Sequence, residues 1–402
     1  MPAAIQLEAV LASYADGEVV NNAQLYERLV ERGHLASGFE NDRQPVGSSG
    51  KCYSLAKRKV RFHQQTLKHM GLLQRVDRGH RKINADRKGL EAAPAGLRVA
   101  IFGTDLGFAV WGSCEEVFPD LREPIDAAIL SPPYPLARPR DYGNPDVQGY
   151  VDWLCRHLEP IVRNLRPGGN LAVNLSNDIF EKGSPARSLY REHLVIALNT
   201  RFGLSKMDEI IWQNPCKPPG PVQWASIRSM QLGTAYEPVY VFCNDPLRSL
   251  ADNRRCLLPH TPEQKKLIEQ GGEKVARMSS NGAYRVKEGA YGQQTVGRIA
   301  RNLLTIRHND PDQVPARLAA QRLGVPAHAG LMPLDLAHFL VRFLTAPGGL
   351  VVDPFGGYAT TARAAEANGR RWIVIEKILQ YLLCAKERFL QCDGYYETGL
   401  AA

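Results

Sequence analysis

The chain has 402 residues, 44% of them hydrophobic and 23% charged, with a formal net charge of +9. That is enough for a large core with one or two smaller modules, and no apolar run approaches the ~20 residues a membrane-spanning helix needs. The opening Met1-Pro2-Ala3-Ala4-Ile5-Gln6-Leu7-Glu8 lacks the basic segment of a secretion signal, so cytoplasmic residence is expected, and the eight cysteines contain no C-x-x-C pair, so reduced thiols and no metal site are expected.

The charge is unevenly placed. Between Lys51 and Lys88 there are twelve Lys and Arg against Asp77 and Asp86, an excess of ten that leaves the rest of the chain close to neutral. Such a concentration is the footprint of a phosphate-binding surface with salt-sensitive affinity. The surrounding pattern predicts a winged helix-turn-helix over residues 1–88. Leu7, Val10 and Leu11 mark a first helix; residues 23–31, opened by Asn21 or Asn22 and closed by Gly33, a second; residues 54–70, ended by Gly71, a third. Residues 72–76 and 80–83 around Asp77-Arg78-Gly79 read as a hairpin, the wing. Lys57, Arg58, Lys59 and Arg61 fall in the opening turns of the third helix, where recognition helices meet DNA, and with Arg78 and Arg81 they are the candidate DNA contacts. A solvated basic helix is the competing reading. Residues 38–50 read as a loop and residues 89–98 as a linker.

Within residues 99–244 the apolar run Ala127-Ala128-Ile129-Leu130 leads directly into Ser131-Pro132-Pro133-Tyr134. Neither proline has an N–H, and each fixes φ and pushes its predecessor towards extended geometry. The turn therefore offers carbonyls, one hydroxyl and one ring, a set suited to an exocyclic amine. An amine conjugated to a nucleobase is a poor nucleophile because its lone pair is delocalised. Two acceptors on its protons, the Ser131 hydroxyl and the Pro132 carbonyl, return density to nitrogen, and Tyr134 can stack on a base taken out of the duplex. Taken alone, the tetrapeptide also reads as an ordinary proline-rich loop. Residues 150–165 predict a helix with Leu154, Leu158, Ile161 and Leu165 at core spacing and a kink at Pro160. Pro167-Gly168-Gly169 reads as its end and residues 170–175 as the next strand. Residues 245–326 are polar and poor in periodicity.

In residues 327–402, Leu350-Val351-Val352-Asp353 predicts a buried strand and Pro354-Phe355-Gly356-Gly357 a tight turn. Residues 360–368 predict an Ala-rich helix stopped by Gly369, and Arg371 to Ile375 a second strand ending at Glu376. Glu376 follows Asp353 by 23 positions, the spacing of a nucleotide-binding βαβ unit whose acidic residue accepts from ribose hydroxyls. The glycines do not form G-x-G-x-x-G, and an Asp at the turn repels a pyrophosphate, so a dinucleotide is disfavoured. S-adenosylmethionine, with an ammonium and a sulfonium beside its ribose, suits a loop with Asp353 ahead and Glu376 behind. The alternative is a purely structural βαβ turn.

Together the two motifs resemble those of the beta-class DNA amino-methyltransferases of restriction-modification systems, which carry S-P-P-Y before a D-P-F-x-G-x-G-T-T turn. The resemblance runs from about Val110 to Arg388 and includes weaker landmarks at Pro167-Gly168-Gly169-Asn170, Glu209-Ile210-Ile211-Trp212, Tyr236-Glu237-Pro238, Arg301-Asn302 and His328. It implies an α/β fold: a Rossmann-like, S-adenosylmethionine-dependent methyltransferase sheet preceded by the winged-helix module and interrupted over residues 245–326 by a target-recognition insert. Ser131, Pro132, Pro133 and Tyr134 would hold the target base; Asp353, Pro354, Phe355, Gly356, Gly357, Thr360, Thr361 and Glu376 would line the cofactor site. Arg254, Arg255, Arg277, Arg285, Lys287 and Arg298 would be backbone contacts in the insert. A serine heading the tetrapeptide resembles the cytosine-N4 members, so methylation of cytosine N4 in double-stranded DNA is the expected activity; adenine-N6 transfer and an inactive DNA-binding regulator are the alternatives. The released proton is expected to reach solvent. Pro215-Cys216 lacks the Gln-Gly context of the cytosine-C5 enzymes, and transfer to an amine needs no protein nucleophile. Three departures stand out: Ser113 where the family commonly has Asp, and Tyr358 and Ala359 where Ser and Gly are usual, so that Tyr358 either crowds the turn or lies over the adenine.

Overall fold

The computed structural model describes residues 9–10, 13–14, 18–41, 43–45, 51–69, 73–83, 90–136, 145–279 and 282–397. At its centre is a ten-stranded mixed sheet. Leu165–Asn174, Ile125–Leu130, Leu350–Asp353, Arg371–Glu376 and Gly107–Gly112 lie side by side and parallel. The apolar runs within them, such as Leu171-Ala172-Val173 and Trp372-Ile373-Val374-Ile375, are what strands covered on both faces require. Ala127 and Ile129 join one hydrophobic cluster, with helices Leu334–Leu344, Thr360–Ala367 and Leu379–Ala385, while Ala128 and Leu130 join another, with helices Tyr150–Arg163 and Tyr190–Phe202. Antiparallel strands extend the sheet on both sides: Arg98–Gly103 and Tyr396–Glu397 on one, Tyr236–Cys243 and Ser205–Gln213 on the other. Among the described residues no helix is long and apolar enough to cross a membrane.

The chain path through the middle strands positions the site. After Ile125–Leu130 the chain moves to Leu165–Asn174 on one side, whereas after Leu350–Asp353 it moves to Arg371–Glu376 on the other. Val351 pairs with Ala127 and Val352 with Ala128, so these two neighbouring strands end level. Loops that leave the carboxyl ends of adjacent parallel strands in opposite directions leave a crevice between them, the topological switch point of doubly wound sheets.

Several expectations are revised. The helix Tyr150–Arg163 continues through Pro160, and Leu154, Leu158 and Ile161 are buried as the spacing predicts, whereas Leu165, also buried, opens the next strand instead of closing the helix. Pro167-Gly168-Gly169 does not end an element but lies inside the strand Leu165–Asn174, where the pairing slips between Ile125 and Ala127. Gly168 has φ +83°, and a Cβ there would sit 1.8 Å from the Arg248 carbonyl oxygen, so glycine permits a bulge where the sequence reads as a break. Residues 245–326 are not separate from the sheet throughout. Leu303–Thr305 adds in parallel to Ser205–Gln213, and the helix Val314–Leu323 buries Ala316, Ala319 and Ala320 against Tyr358 and Tyr381. The linker is also anchored: Ala93 N donates to Lys377 O at 2.7 Å and Leu379 N to Glu91 O at 3.1 Å.

At the amino-terminal end, Asn21 caps the helix Asn22–Glu31 in a reciprocal capping box with Gln24. A second helix spans Leu55–His69, with Ser54 Oγ accepting from Lys57 N at 3.3 Å. The strands Leu73–Asp77 and His80–Ile83 form the expected hairpin, and Val20–Asn21 pairs with the second of them. Within the region read as a loop, Arg43–Pro45 pairs with Cys52–Ser54; residues 42 and 46–50 lie outside the described residues, as do Leu7, Leu11, Met70, Gly71 and Leu72. Arg58, Arg61 and Arg78 are exposed and Lys59 is half-buried. Lys57 is engaged with Glu40 at 2.9 Å and sits over the Tyr26 ring. Arg81 departs from expectation: it is buried, with Nη1 3.3 Å from Asn22 Oδ1. Its strand is the central one of three, and side-chain alternation turns Arg81 inward, where it braces the hairpin instead of facing outward.

Candidate active site

A cleft of about 1100 Å³ opens at the switch point, and all of Ser131, Pro132, Pro133, Tyr134, Asp353, Pro354, Phe355, Gly356, Gly357, Thr360, Thr361 and Glu376 line it. The two loops, more than 200 residues apart in sequence, are tied where their strands meet: the Thr361 hydroxyl lies 3.5 Å from the Ile129 carbonyl and donates to Asp353 Oδ2 at 2.7 Å.

On one side the cleft is acidic and deeply buried. Asp353 Oδ1 also accepts from Phe355 N at 3.0 Å; Glu376 accepts from Gly357 N and Ile378 N, each at 2.7 Å. Burial pushes the Asp353 carboxyl up to about 6 and the Glu376 carboxyl up to about 7, against the lowering effect of these hydrogen bonds. All of these donors are neutral, and among the described residues neither carboxylate makes a salt bridge, so two buried carboxylates face the cleft without a paired cation. Burying such a charge is costly until a cation arrives. The turn between them lies close to its neighbours: a Cβ on Gly356 would fall 2.1 Å from Val374 Cγ2, and Gly357 has φ +52°. Phe355 contacts the Trp153 and His157 rings at centroid distances of 5.5 and 5.8 Å, giving an aromatic wall. An ammonium, a ribose and an adenine fit this donor-poor, acidic and partly aromatic site.

Tyr358 neither crowds the turn nor reaches the cofactor space. Its ring is fully buried beneath the turn against Tyr381, and its hydroxyl accepts from His328 N at 3.1 Å. Ala359 adopts φ +55°, a left-handed conformation that glycine takes more cheaply. Ser113 accepts from Glu115 N at 3.4 Å and caps the short helix Cys114–Val117. Cys216 is exposed at the cleft.

The other side of the cleft holds the S-P-P-Y turn. Ser131 Oγ and the Tyr134 hydroxyl are 3.0 Å apart, and the Tyr134 hydroxyl also reaches Asn174 Oδ1 at 2.9 Å and Glu237 Oε2 at 3.2 Å. Glu237 Oε1 accepts from Lys217 Nζ at 3.0 Å. Burial, with the Glu237 carboxylate next in effect, lifts the Tyr134 phenol well above its ordinary value. Asn174, Glu237 and Lys217 have no role in the sequence reading. Asn174 was accessible to it, because it ends the parallel strand beside Ile125–Leu130, where ligand-facing residues collect. Glu237 was singled out only within the landmark Tyr236-Glu237-Pro238, without a role, and Lys217 gave no signal.

Asp353 and Glu376 ionise in the folded protein at higher pH than in the unfolded chain, so their protonated forms favour the fold. That contribution is fully present below about pH 4 and is lost as pH rises through about 6 and 7. Unfolding measurements on the ligand-free protein should show this loss. A cationic ligand selects the ionised forms, so calorimetry should find its affinity increasing by up to about tenfold per pH unit for each carboxylate it ionises over the same window; a flat affinity would separate these carboxylates from the binding site.

The sheet with its switch-point cleft, acidic strand end and two buried carboxylates defines an S-adenosylmethionine-dependent methyltransferase. The DNA methylase (N6_N4_Mtase) family matches residues 125–387, and the Mrr N-terminal domain family matches residues 6–92. The type II methyltransferase M.PvuII of Proteus hauseri is 32% identical over 276 residues, covering 68% of this chain and 80% of that protein. M.BamHI of Bacillus amyloliquefaciens is 24% identical over 284 residues, covering 68% of this chain and 55% of that protein. The solved structure of PvuII DNA methyltransferase (cytosine-N4-specific) superposes with a TM-score of 0.57 and 27% identity, covering 72% of this chain and 88% of that one. The chain belongs to the DNA methylase family, and S-adenosylmethionine is its methyl donor.

Proposed function

We propose that the enzyme methylates N4 of a cytosine rotated out of double-stranded DNA. The observation that carries this reading is the meeting of the S-P-P-Y and D-P-F-G-G turns in one cleft, with a serine in place of a carboxylate at the head of the first. The cytosine-N4 specificity of the similar PvuII enzyme supports the choice of base.

S-adenosylmethionine, when bound, supplies an electrophilic methyl group on a sulfonium. Asp353 and Glu376 would hold its ammonium and ribose, and Phe355 offers a face for its adenine. The Ser131 hydroxyl and Pro132 carbonyl accept the two amine protons and aim the nitrogen lone pair across the cleft, while the Tyr134 ring holds the base plane. Catalysis then rests on proximity and orientation, with an amine made more electron-rich by its two acceptors. Nucleoside mass spectrometry of plasmid DNA modified by the protein should find N4-methylcytosine; N6-methyladenine in its place would overturn the assignment of the base.

The amino-terminal elements fit a winged-helix module that grips the duplex, and the polar part of residues 245–326 fits a target-recognition region. Replacing the exposed Arg58, Arg61 and Arg78 by Ala should weaken binding to all duplex sequences alike and reduce the slope of log affinity against log salt by about 0.9 for each phosphate no longer neutralised. An unchanged slope would remove these residues from the interface.

A further inference from the structure

We infer that Glu237 is the terminal acceptor for the proton that the target amine loses, reached through the Ser131 and Tyr134 hydroxyls. The inference rests on the methyltransferase reading above and deepens it.

The reaction must dispose of one proton. As the nitrogen lone pair bonds to the incoming methyl carbon and the carbon–sulfur bond breaks, the amine becomes cationic and its N–H protons become strongly acidic. Ser131 Oγ, one of the two acceptors for that amine, is 3.0 Å from the Tyr134 hydroxyl, which is 3.2 Å from Glu237 Oε2. Both separations are within reach of proton transfer between hydrogen-bonded groups. The step balances: the amine proton moves to Ser131 Oγ, the Ser131 proton to the Tyr134 oxygen, and the Tyr134 proton to Glu237. Both hydroxyls are regenerated, the carboxylate becomes a carboxylic acid, and the product amine is neutral.

Two neighbours favour this direction. Asn174 Oδ1 lies 2.9 Å from the Tyr134 hydroxyl and 3.4 Å from Ser131 Oγ, but an amide oxygen is too weak a base to keep a proton. It positions both hydroxyls, and its own Nδ2 is anchored on the Pro238 carbonyl at 3.3 Å. Lys217, 3.0 Å from Glu237 Oε1, holds the other carboxylate oxygen and leaves Oε2 facing the Tyr134 hydroxyl. Tyr190 also lies within electrostatic reach of Glu237. Because the phenol of Tyr134 resists ionisation, Tyr134 serves by exchanging one proton for another and never as a phenolate.

The test compares the wild type with Glu237→Gln, Glu237→Asp and Tyr134→Phe in single-turnover methyl transfer to unmodified plasmid DNA, across pH and in heavy water. Gln keeps the side-chain shape and loses the basic oxygen; Phe keeps the stacking ring and breaks the path. Both should lower the rate by about 10²-fold, abolish the acid limb of the rate profile and shrink the solvent isotope effect, while the affinities for S-adenosylmethionine and for DNA stay at wild-type values. Asp should recover part of the rate, and the Gln and Phe changes combined should cost no more than either alone. Wild-type rate and pH profile in Glu237→Gln would overturn the inference and send the proton to water. If Gln fails to fold, Tyr134→Phe decides alone: a wild-type isotope effect there overturns the path. Failure of the cytosine reading is separate, since it is read from the identity of the methylated base and leaves the comparison of variants intact.

Discussion

Replacing Ser131 by Ala should lower single-turnover methyl transfer by roughly 10²-fold, the usual cost of removing one preorganised hydrogen-bonding partner of a reacting group, while S-adenosylmethionine binds as before. Ser131 leaves the carboxyl end of Ile125–Leu130, and its hydroxyl points into a network of Tyr134 and Asn174, on the opposite side of the cleft from Asp353 and Glu376. The hydroxyl interacts most strongly with the amine when positive charge develops on nitrogen. Its loss therefore raises the transition state more than the ground state. Rapid-quench kinetics with radiolabelled donor, beside calorimetry of the donor alone, would measure both effects. Equal losses in rate and in donor affinity would mean that Ser131 supports the cleft as a whole.

Arg388→Ala should cost about 3 kcal/mol of stability, the low end for breaking a buried ion pair because its partner Asp312 stays partly in contact with water. The Arg388 guanidinium is fully buried and contacts Asp312 Oδ2 through Nε at 2.8 Å and Nη2 at 2.5 Å. Its Nη1 donates to the Tyr358 carbonyl and to Thr360 Oγ1. One side chain thus fastens the D-P-F-G-G turn to the start of the helix Val314–Leu323 and its preceding turn. Without it, Asp312 is left with Arg363, at 3.3 Å, as its ion-pair partner among the described residues, and the Tyr358 carbonyl loses the Arg388 donor. Urea denaturation should report the stability loss, and donor affinity should fall with it although Arg388 does not line the cleft. A fully stable variant would show that the turn holds its shape through the Gly356, Tyr358 and Tyr381 contacts alone.

Much of the site was legible because its chemistry is written in contiguous residues. Proline at 132 and 133 fixes backbone conformation locally, and an apolar strand followed by a turn, an Ala-rich helix and a second strand ending in Glu376 constrains its own folding within a short stretch of chain. Pattern and spacing therefore determined both turns, the acidic strand end and the basic amino-terminal segment. Elements whose conformation depends on a distant neighbour were misread. Gly168 looked like a stop because its need to avoid Arg248 is invisible along the chain, and Arg81 looked like a surface cation because its strand becomes the centre of a sheet only after Val20 and Asn21 join it.

Local sequence thus determined which residues carry acceptors, carboxylates and rings, since those are properties of the side chains and of short-range backbone geometry. Only the tertiary structure decided that the strands Ile125–Leu130 and Leu350–Asp353 end within one residue of each other, that Tyr358 turns away from the cleft, and that Asn174 and Glu237, the latter held by Lys217, converge on Tyr134. These outcomes depend on strand order and register, which are set by the burial of both faces of one sheet and by contacts between residues far apart in the chain.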